Sequence, residues 1–513
     1  MPEDRASEMR IAWAVAGLAV LVQMLTNGRY GYFRDELYYL AASDRLAFGY
    51  VDFAPLIAWA AHASRFLIGD SLHAIRLMPA LAFGGEVLLT GAIARELGGR
   101  RWAVLAACVS VLCCPVILAN GGRLAMNALE PLFWMGCVYA LLLAINRQRP
   151  ELLLWCGVLL GLGLENKHSA VFFLGALLLG LLATPDRRLF ASKWLWIAAA
   201  IALLIALPNF AWQYQHRFPT LEDLRNVKAL HKNVELPPLP FLAQQILMLN
   251  PFSALVWMPG LGFLLFHRQG KRYRALGVTY LALLAIMMAL KGKDYYLAPV
   301  YPMLFAAGGV LWEQLAEWRR GLHWVRVALP AIVLASGLVL APLVLPILPP
   351  EKIEPYMHRL GIQVGRSETG MRSRLPQHFA DEFGWPEMVE AVAGVYNALP
   401  AEERAKTAIL AGNYGEAGAI DLYGPAHGLP KAISGVNSYW ARGYGDPLPQ
   451  TLIVIGLSRE FLERNFESCV LAGHVVNRYG VQNEETTRHP DLFVCRGLRQ
   501  PWPAFWKEFR YYG

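Results

Sequence analysis

Gly31–Leu56 reads GYFRDELYYLAASDRLAFGYVDFAPL. An apolar run near 11–27 precedes it and carries no small-residue cleavage site, so that run reads as a retained signal anchor. The quoted stretch therefore opens a loop on the far side of a membrane. Within that loop, 28–76, residues 35–48 and 55–68 both place apolar side chains at helical spacing, interrupted by Gly49–Asp52. The pattern predicts two short amphipathic helices lying on the outer surface.

The rest of the 513 residues agree with a membrane setting. Apolar residues make up 56% of the chain and charged residues 17%, against roughly 25% charged in ordinary soluble domains. A soluble protein has too little interior to hide that much apolar surface. This excludes a wholly soluble enzyme, a disordered chain and a collagen-like repeat. Further apolar runs fall near 77–94, 102–119, 132–146, 152–164, 169–183, 194–212, 246–266, 275–290, 296–315 and 325–348, predicting about eleven transmembrane helices.

The net charge of +8 is unevenly spread. Before Pro350 there are 30 Lys and Arg against 20 Asp and Glu; from Pro350 onward there are 17 against 19. The excess sits in short connections holding Arg100 and Arg101; Arg147 and Arg149; Arg187, Arg188 and Lys193; Arg268, Lys271, Arg272 and Arg274; and Arg319, Arg320 and Arg326. A cytoplasmic N-terminus puts all five connections inside, as the positive-inside rule demands, provided 152–183 splits into two helices at Glu165–His168. The outside loops are then 28–76, 120–131, 165–168, 213–245 and 291–295. No basic stripe marks a nucleic-acid partner.

The tail, 350–513, has another texture. Thr407–Gly412 and Thr451–Gly456 are strand-like runs ending at Gly, followed by helical segments 413–423 and 458–466 that open on the cap residues Asn413 and Ser458. The expected organisation is mainly α: a membrane domain over 1–349 and a small soluble extracytoplasmic α/β domain over 350–513. An oxidising compartment permits a disulfide between Cys469 and Cys495 without requiring it. The other five cysteines fall in membrane runs as small apolar fillers. NYGEAGAID at 413–421 lacks the glycine spacing and Lys of a phosphate loop.

Chemistry gathers in the outside loops. Asp35 and Glu36 either satisfy a helix N-terminus or offer an ionised carboxylate able to take a proton from a hydroxyl. Asp52 precedes an Ala-Pro-Leu step. Arg123, Asn127 and Glu130 lie in the second outside connection, Glu165 to His168 in the third, and Lys291, Lys293, Asp294, Tyr295 and Tyr296 in the last. Ionisable groups at membrane depth are kept mostly where they line a polar site; near helix ends Lys and Arg also snorkel to headgroups. Carboxylates and cations on one side of the bilayer suit a lipid phosphate carrying an uncharged reacting part. His62 and His73, eleven apart, have no metal-ligand spacing. No cofactor is certain, and a divalent metal is without support.

FRDELYY followed by GYVDFAPL, the Glu130-Pro131 step and GKDYYLAPVYP resemble the membrane glycosyltransferases of the GT-C fold. The nearest likeness is to the bacterial family 39 group, relatives of protein O-mannosyltransferases and of the lipid A aminoarabinose transferase. The resemblance implies an inverting transferase of the bacterial inner membrane, with a polyprenyl-phosphate sugar as donor and a lipid, glycan or protein hydroxyl as acceptor on the extracytoplasmic side. It implies Asp35 as general base and Asp52 as an acid that helps position substrate; Glu36, adjacent to Asp35 at the helix start, joins them as a catalytic candidate from the residues alone. It implies Lys293 and Tyr296, with Lys291 as competitor, as donor-phosphate contacts, along with Glu130 and Lys167; Tyr295, Arg123 and His168 complete the substrate-binding candidates from the loop clusters themselves. Ala54 replaces the first Pro of the family's Pro-Pro pair, and Phe53 stands where the aminoarabinose enzyme has Lys. The competing readings are a transporter or flippase of a lipid-linked or anionic substrate, which predicts midplane sites and internal repeats, and a scaffold with an outer domain.

Overall fold

Every one of the eleven apolar runs carries helix in the computed structural model, which describes residues 2–363, 369, 373–483, 485 and 489–513, with side chains from residue 7 onward. Among the described residues, six helices are long and apolar enough to cross a membrane. Two bent pairs, Ala170–Leu182 with Pro185–Ala191 and Pro238–Leu247 with Pro251–Phe266, raise this to eight if each is one span. Arg101–Leu112 and Leu153–Asn166 fall short of the roughly 20 residues that span a bilayer. The break expected at Glu165–His168 is present: one helix ends at Asn166 and the next starts at Ala170.

The chain divides into two compact units. The first comprises Met1–Gly28, Gly69–Ala211 and Glu235–Ile347; the second comprises Arg29–Ile68, Trp212–Val234 and Leu348–Gly513. Contacts thus group residues 29–68 and 212–234 with the tail.

Small residues set the helix spacing of the first unit. A Cβ on Gly260 would lie 2.0 Å from the Leu304 carbonyl oxygen, and one on Gly308 would lie 1.9 Å from that of Val256. Helices Ala254–Phe266 and Tyr301–Trp318 therefore touch backbone to backbone, the packing expected where lipid supplies no hydrophobic drive. Glu313 is buried and accepts the backbone N–H of Arg100 (2.6 Å) and Trp102 (2.9 Å), so a carboxylate from one helix caps the N-terminus of Arg101–Leu112. The five free cysteines are buried.

The second unit holds a five-stranded sheet in the order β2-β1-β3-β5-β4. Its strands are β1 (Thr407–Ala411), β2 (Ala432–Ile433), β3 (Thr451–Ile455), β4 (Phe466–His474) and β5 (Asp491–Leu498). β1 pairs parallel with β2 and β3, and β5 pairs antiparallel with β3 and β4. Both helices expected after β1 and β3 form, at Tyr414–Tyr423 and Arg459–Asn465. Asn413 and Ser458 cap them by accepting the N–H of Tyr414 and Phe461. Cys469 and Cys495 face each other in the β4–β5 ladder and are joined by a disulfide. Two loop helices, Arg34–Ser43 and Leu56–Leu67, form where a pair was expected in 28–76, but the first is buried on nearly every side instead of lying on a surface, because the tail helix Tyr414–Tyr423 packs over it.

Helix Arg34–Ser43 lies against helix Tyr414–Tyr423 so closely that a Cβ on Gly418 would stand 2.8 Å from the Leu37 carbonyl group. Only a residue without a side chain permits that approach. Gly418→Val is expected to lower the stability of the second unit by about 1–3 kcal/mol, read as an earlier melting transition of the full chain in detergent.

Candidate active site

In the second unit, Asp35 sits in the first turn of helix Arg34–Ser43 with its side chain 30% exposed. Its Oδ1 accepts from Arg34 Nε (3.3 Å) and from the Tyr414 hydroxyl (3.2 Å). Both bonds fall on the same oxygen, Oδ1, of a carboxylate that is part-exposed. Arg34 is buried; its guanidinium also lies 3.7 Å from Glu485 and 4.0 Å from Asp381, and 5.5 Å over the Tyr414 ring.

Glu36 is placed differently. It is fully buried and accepts the Phe33 backbone N–H at 2.8 Å. Of the two readings of the Asp35–Glu36 pair, helix capping holds for Glu36 and solvent access for Asp35. Glu36, expected beside Asp35 in catalysis, is turned onto its own helix end in a capping arrangement.

Asp52 accepts the Tyr38 hydroxyl (2.9 Å), which in turn accepts the backbone N–H of Ser438 (2.9 Å), while Ser438 Oγ accepts the Val51 N–H (3.0 Å). Burial, the charge of Asp223 and, more weakly, that of Asp35 push the Asp52 carboxyl up to about 7 against the opposing Tyr38 hydrogen bond. Burial and Asp52 push the Tyr38 phenol well up, so it remains a donor. Asp223 is itself raised to about 6 by burial. Aromatic rings wall this region: Tyr38 stacks on Tyr414 (4.6 Å) and Tyr439 (5.9 Å), and Tyr50 stacks on Phe53 (4.4 Å).

The first unit gathers a second set. Lys167 Nζ donates to Asn127 Oδ1 (2.7 Å) and Glu130 Oε2 (3.0 Å), and lies 4.6 Å over the Tyr296 ring. Ser169 Oγ donates to the other Glu130 oxygen. Glu130, Lys167 and Tyr296 thus converge, although 166 positions separate the first from the last. His168 pairs with Asn209 Oδ1 (3.0 Å). Lys291 forms an exposed ion pair with Glu235 (2.7 Å), away from that cluster's bonds. Lys293 is half-buried ahead of the short helical stretch Asp294–Val300, and Arg123 donates to the Ala119 carbonyl (3.1 Å). Tyr295 lines a small cavity with Asn120, Asn127, Glu130 and Glu86. Among the described residues, no three His, Cys, Asp or Glu side chains form a metal-sized cluster.

Sequence reasoning passed over Glu86, Asp223, Tyr414 and Ser438. Glu86 had a signal: a lone carboxyl in the middle of an apolar run. It is buried, and its Oε1 has no hydrogen-bond partner. The others carried none, since their meaning depends on contacts across hundreds of positions.

Comparison with known proteins agrees with this architecture. Residues 52–212 match the family described as dolichyl-phosphate-mannose-protein mannosyltransferase. The lipid A galacturonosyltransferase RgtD of Rhizobium johnstonii is 27% identical over 243 residues, 46% of this chain and 50% of the relative, so the chain spans about half the length of that curated protein. The crystal structures of ArnT from Cupriavidus metallidurans superpose with a TM-score of 0.60 in the apo state and 0.62 bound to undecaprenyl phosphate, at 14% and 13% identity. They cover 94% and 95% of this chain and 97% and 98% of theirs. The fold is that of ArnT, a mainly helical membrane architecture, shared along nearly the whole chain.

Two consequences can be measured. A carboxyl raised in the folded state stabilises fully below its unfolded value near 4, and that contribution is lost as pH rises through about 7. Asp52→Asn removes the titration, so its melting temperature should gain on the parent between pH 5 and pH 8, by an amount corresponding to about 2 kcal/mol. Lys167→Met should destabilise the first unit by about 3 kcal/mol by leaving Glu130 buried and uncompensated. Adding Glu130→Gln should recover most of that loss in denaturant or thermal unfolding.

Proposed function

We propose that this chain is an inverting glycosyltransferase that moves a sugar from a polyprenyl-phosphate donor to a hydroxyl of a lipid-type acceptor on the extracytoplasmic side of the membrane. The observation that carries the reading is the asymmetric setting of Asp35, part-exposed with both donors on one oxygen, on an ArnT-like fold. The undecaprenyl phosphate held by ArnT supports the donor class, and the lipid A acceptor in the name of RgtD supports the acceptor class. The fold likeness supports catalysis over transport.

In this reading Asp35 Oδ2 takes the proton of the acceptor hydroxyl as that oxygen bonds to the anomeric carbon. The bond from the anomeric carbon to the phosphate oxygen breaks on the opposite face, and polyprenyl phosphate leaves with inversion of the sugar. Asp52 orients a hydroxyl through its open lone pairs. Lys293 and Tyr296, with Tyr295, Arg123, Lys167 and His168, are assigned to the donor; cations there offset charge growing on the leaving phosphate. Glu130 orients Lys167 within that set. Lys291, committed to Glu235 at the surface, has the weakest claim.

The N-terminus is placed in the cytoplasm, with 350–513 on the far side of the inner membrane. Support comes from the five basic connections on one side and from the Cys469–Cys495 disulfide, which persists in oxidising compartments. Alkaline phosphatase fused after Gly513 should be active, while a green fluorescent protein fused there should stay dark.

Asp35→Asn should reduce transfer from a polyprenyl-phosphate sugar by at least ~100-fold at normal protein level, followed by mass spectrometry of membrane glycolipids. Unchanged turnover removes Asp35 from the mechanism.

A further inference from the structure

We infer that the tail domain is a working part of the catalytic apparatus, with Tyr414 as the positioning residue that fixes which oxygen of Asp35 faces the substrate; this rests on the transferase reading above. Tyr414 stands 379 positions from Asp35, at the start of the helix that follows β1. Its hydroxyl donates to Asp35 Oδ1 at 3.2 Å, the same oxygen that Arg34 Nε approaches at 3.3 Å. An aspartate without these two donors rotates about its last torsion and presents either oxygen. With both donors on Oδ1, rotation costs two charge-assisted hydrogen bonds, and Oδ2 is the oxygen kept clear of these two donors.

Tyr414 is itself over-determined. Its ring stacks on the Tyr38 ring at 4.6 Å and lies under the Arg34 guanidinium at 5.5 Å. Its helix start is fixed by a reciprocal cap: Asn413 Oδ1 accepts the Tyr414 N–H (2.6 Å), and Glu416 Oε2 accepts the N–H of Gly412 (3.0 Å) and Asn413 (3.2 Å). The Gly418–Leu37 contact locks the same helix to the one carrying Asp35. Ser438 repeats the arrangement for the other acid, since its N–H orders the Tyr38 hydroxyl that donates to Asp52. The tail therefore supplies a positioning group to both Asp35 and Asp52. A base held within a fraction of an ångström owes much of its rate to such locked partners.

The test uses the full-length protein in detergent or vesicles with a polyprenyl-phosphate sugar as donor. Tyr414→Phe keeps the ring and removes only the hydroxyl. It should lower kcat by about 10- to 100-fold, with KM for donor and acceptor within about twofold and the melting temperature unchanged. In an Asp35→Asn background the same substitution should cost nothing further, because a positioning residue has nothing left to position. Full kcat in Tyr414→Phe, or an undiminished additional loss on Asp35→Asn, overturns the inference while leaving the transferase reading intact. A parent protein inactive toward every polyprenyl-phosphate donor overturns the transferase reading instead. The geometry is then judged by water-soluble carbodiimide, with Asp35 modification mapped by peptide mass spectrometry. Tyr414→Phe should label several-fold faster than the parent, and an equal rate refutes the tether.

Discussion

The approach of helix Arg34–Ser43 to helix Tyr414–Tyr423 is the constraint on which the second unit depends. Gly418 allows the two backbones to meet, and that contact brings Arg34, Asp35 and Tyr38 within reach of Tyr414 and Glu485. Arg34 is buried there among three carboxylates, an arrangement tolerable only because opposite charges lie within 4.0 Å. Without the close contact this cation would lose its partners, and the Asp35 carboxylate would lose both donors on Oδ1.

The first unit obeys a different economy of polar groups. In an apolar surrounding each polar atom needs a partner inside the protein, so Glu130 is matched by Lys167 and Ser169, and the start of Arg101–Leu112 is matched by Glu313. Glu86 departs from that rule with an unpaired oxygen facing the cavity lined by Asn127 and Glu130. The same unit keeps Lys167 over the Tyr296 ring, so one ammonium serves a carboxylate, an amide and an aromatic face at once.

Much of the helical framework was legible in the chain, for a definite reason. A span must be long and apolar whatever it packs against, so 11–27, 77–94 and the later runs announce themselves, as does the break at Glu165–His168. Strands β1 and β3 with their capped helices were equally readable, because alternation, Gly and an N-cap are local. β4 and β5 were not: Phe466–His474 is a largely exposed strand whose identity comes from the antiparallel ladder with β5 and its disulfide. In the candidate site, Asp35 and Asp52 were visible as acids in an outside loop. The partition between Asp35 as open and Glu36 as a cap was not, since adjacent residues on a helix start differ only by which way the turn faces.

By itself the sequence determined a polytopic helical membrane protein, a first loop with two short helices carrying Asp35, Glu36 and Asp52 in or between them, and an α/β tail, because composition, periodicity and capping act over a few neighbouring residues. The tertiary structure decided that the tail reaches Asp35 and Asp52 through Tyr414 and Ser438, that Glu130 belongs to Lys167, and that Asp52 titrates near neutrality. Those outcomes depend on burial and on charges brought together from distant positions. Only a folded chain fixes the distances over which desolvation and Coulomb forces act.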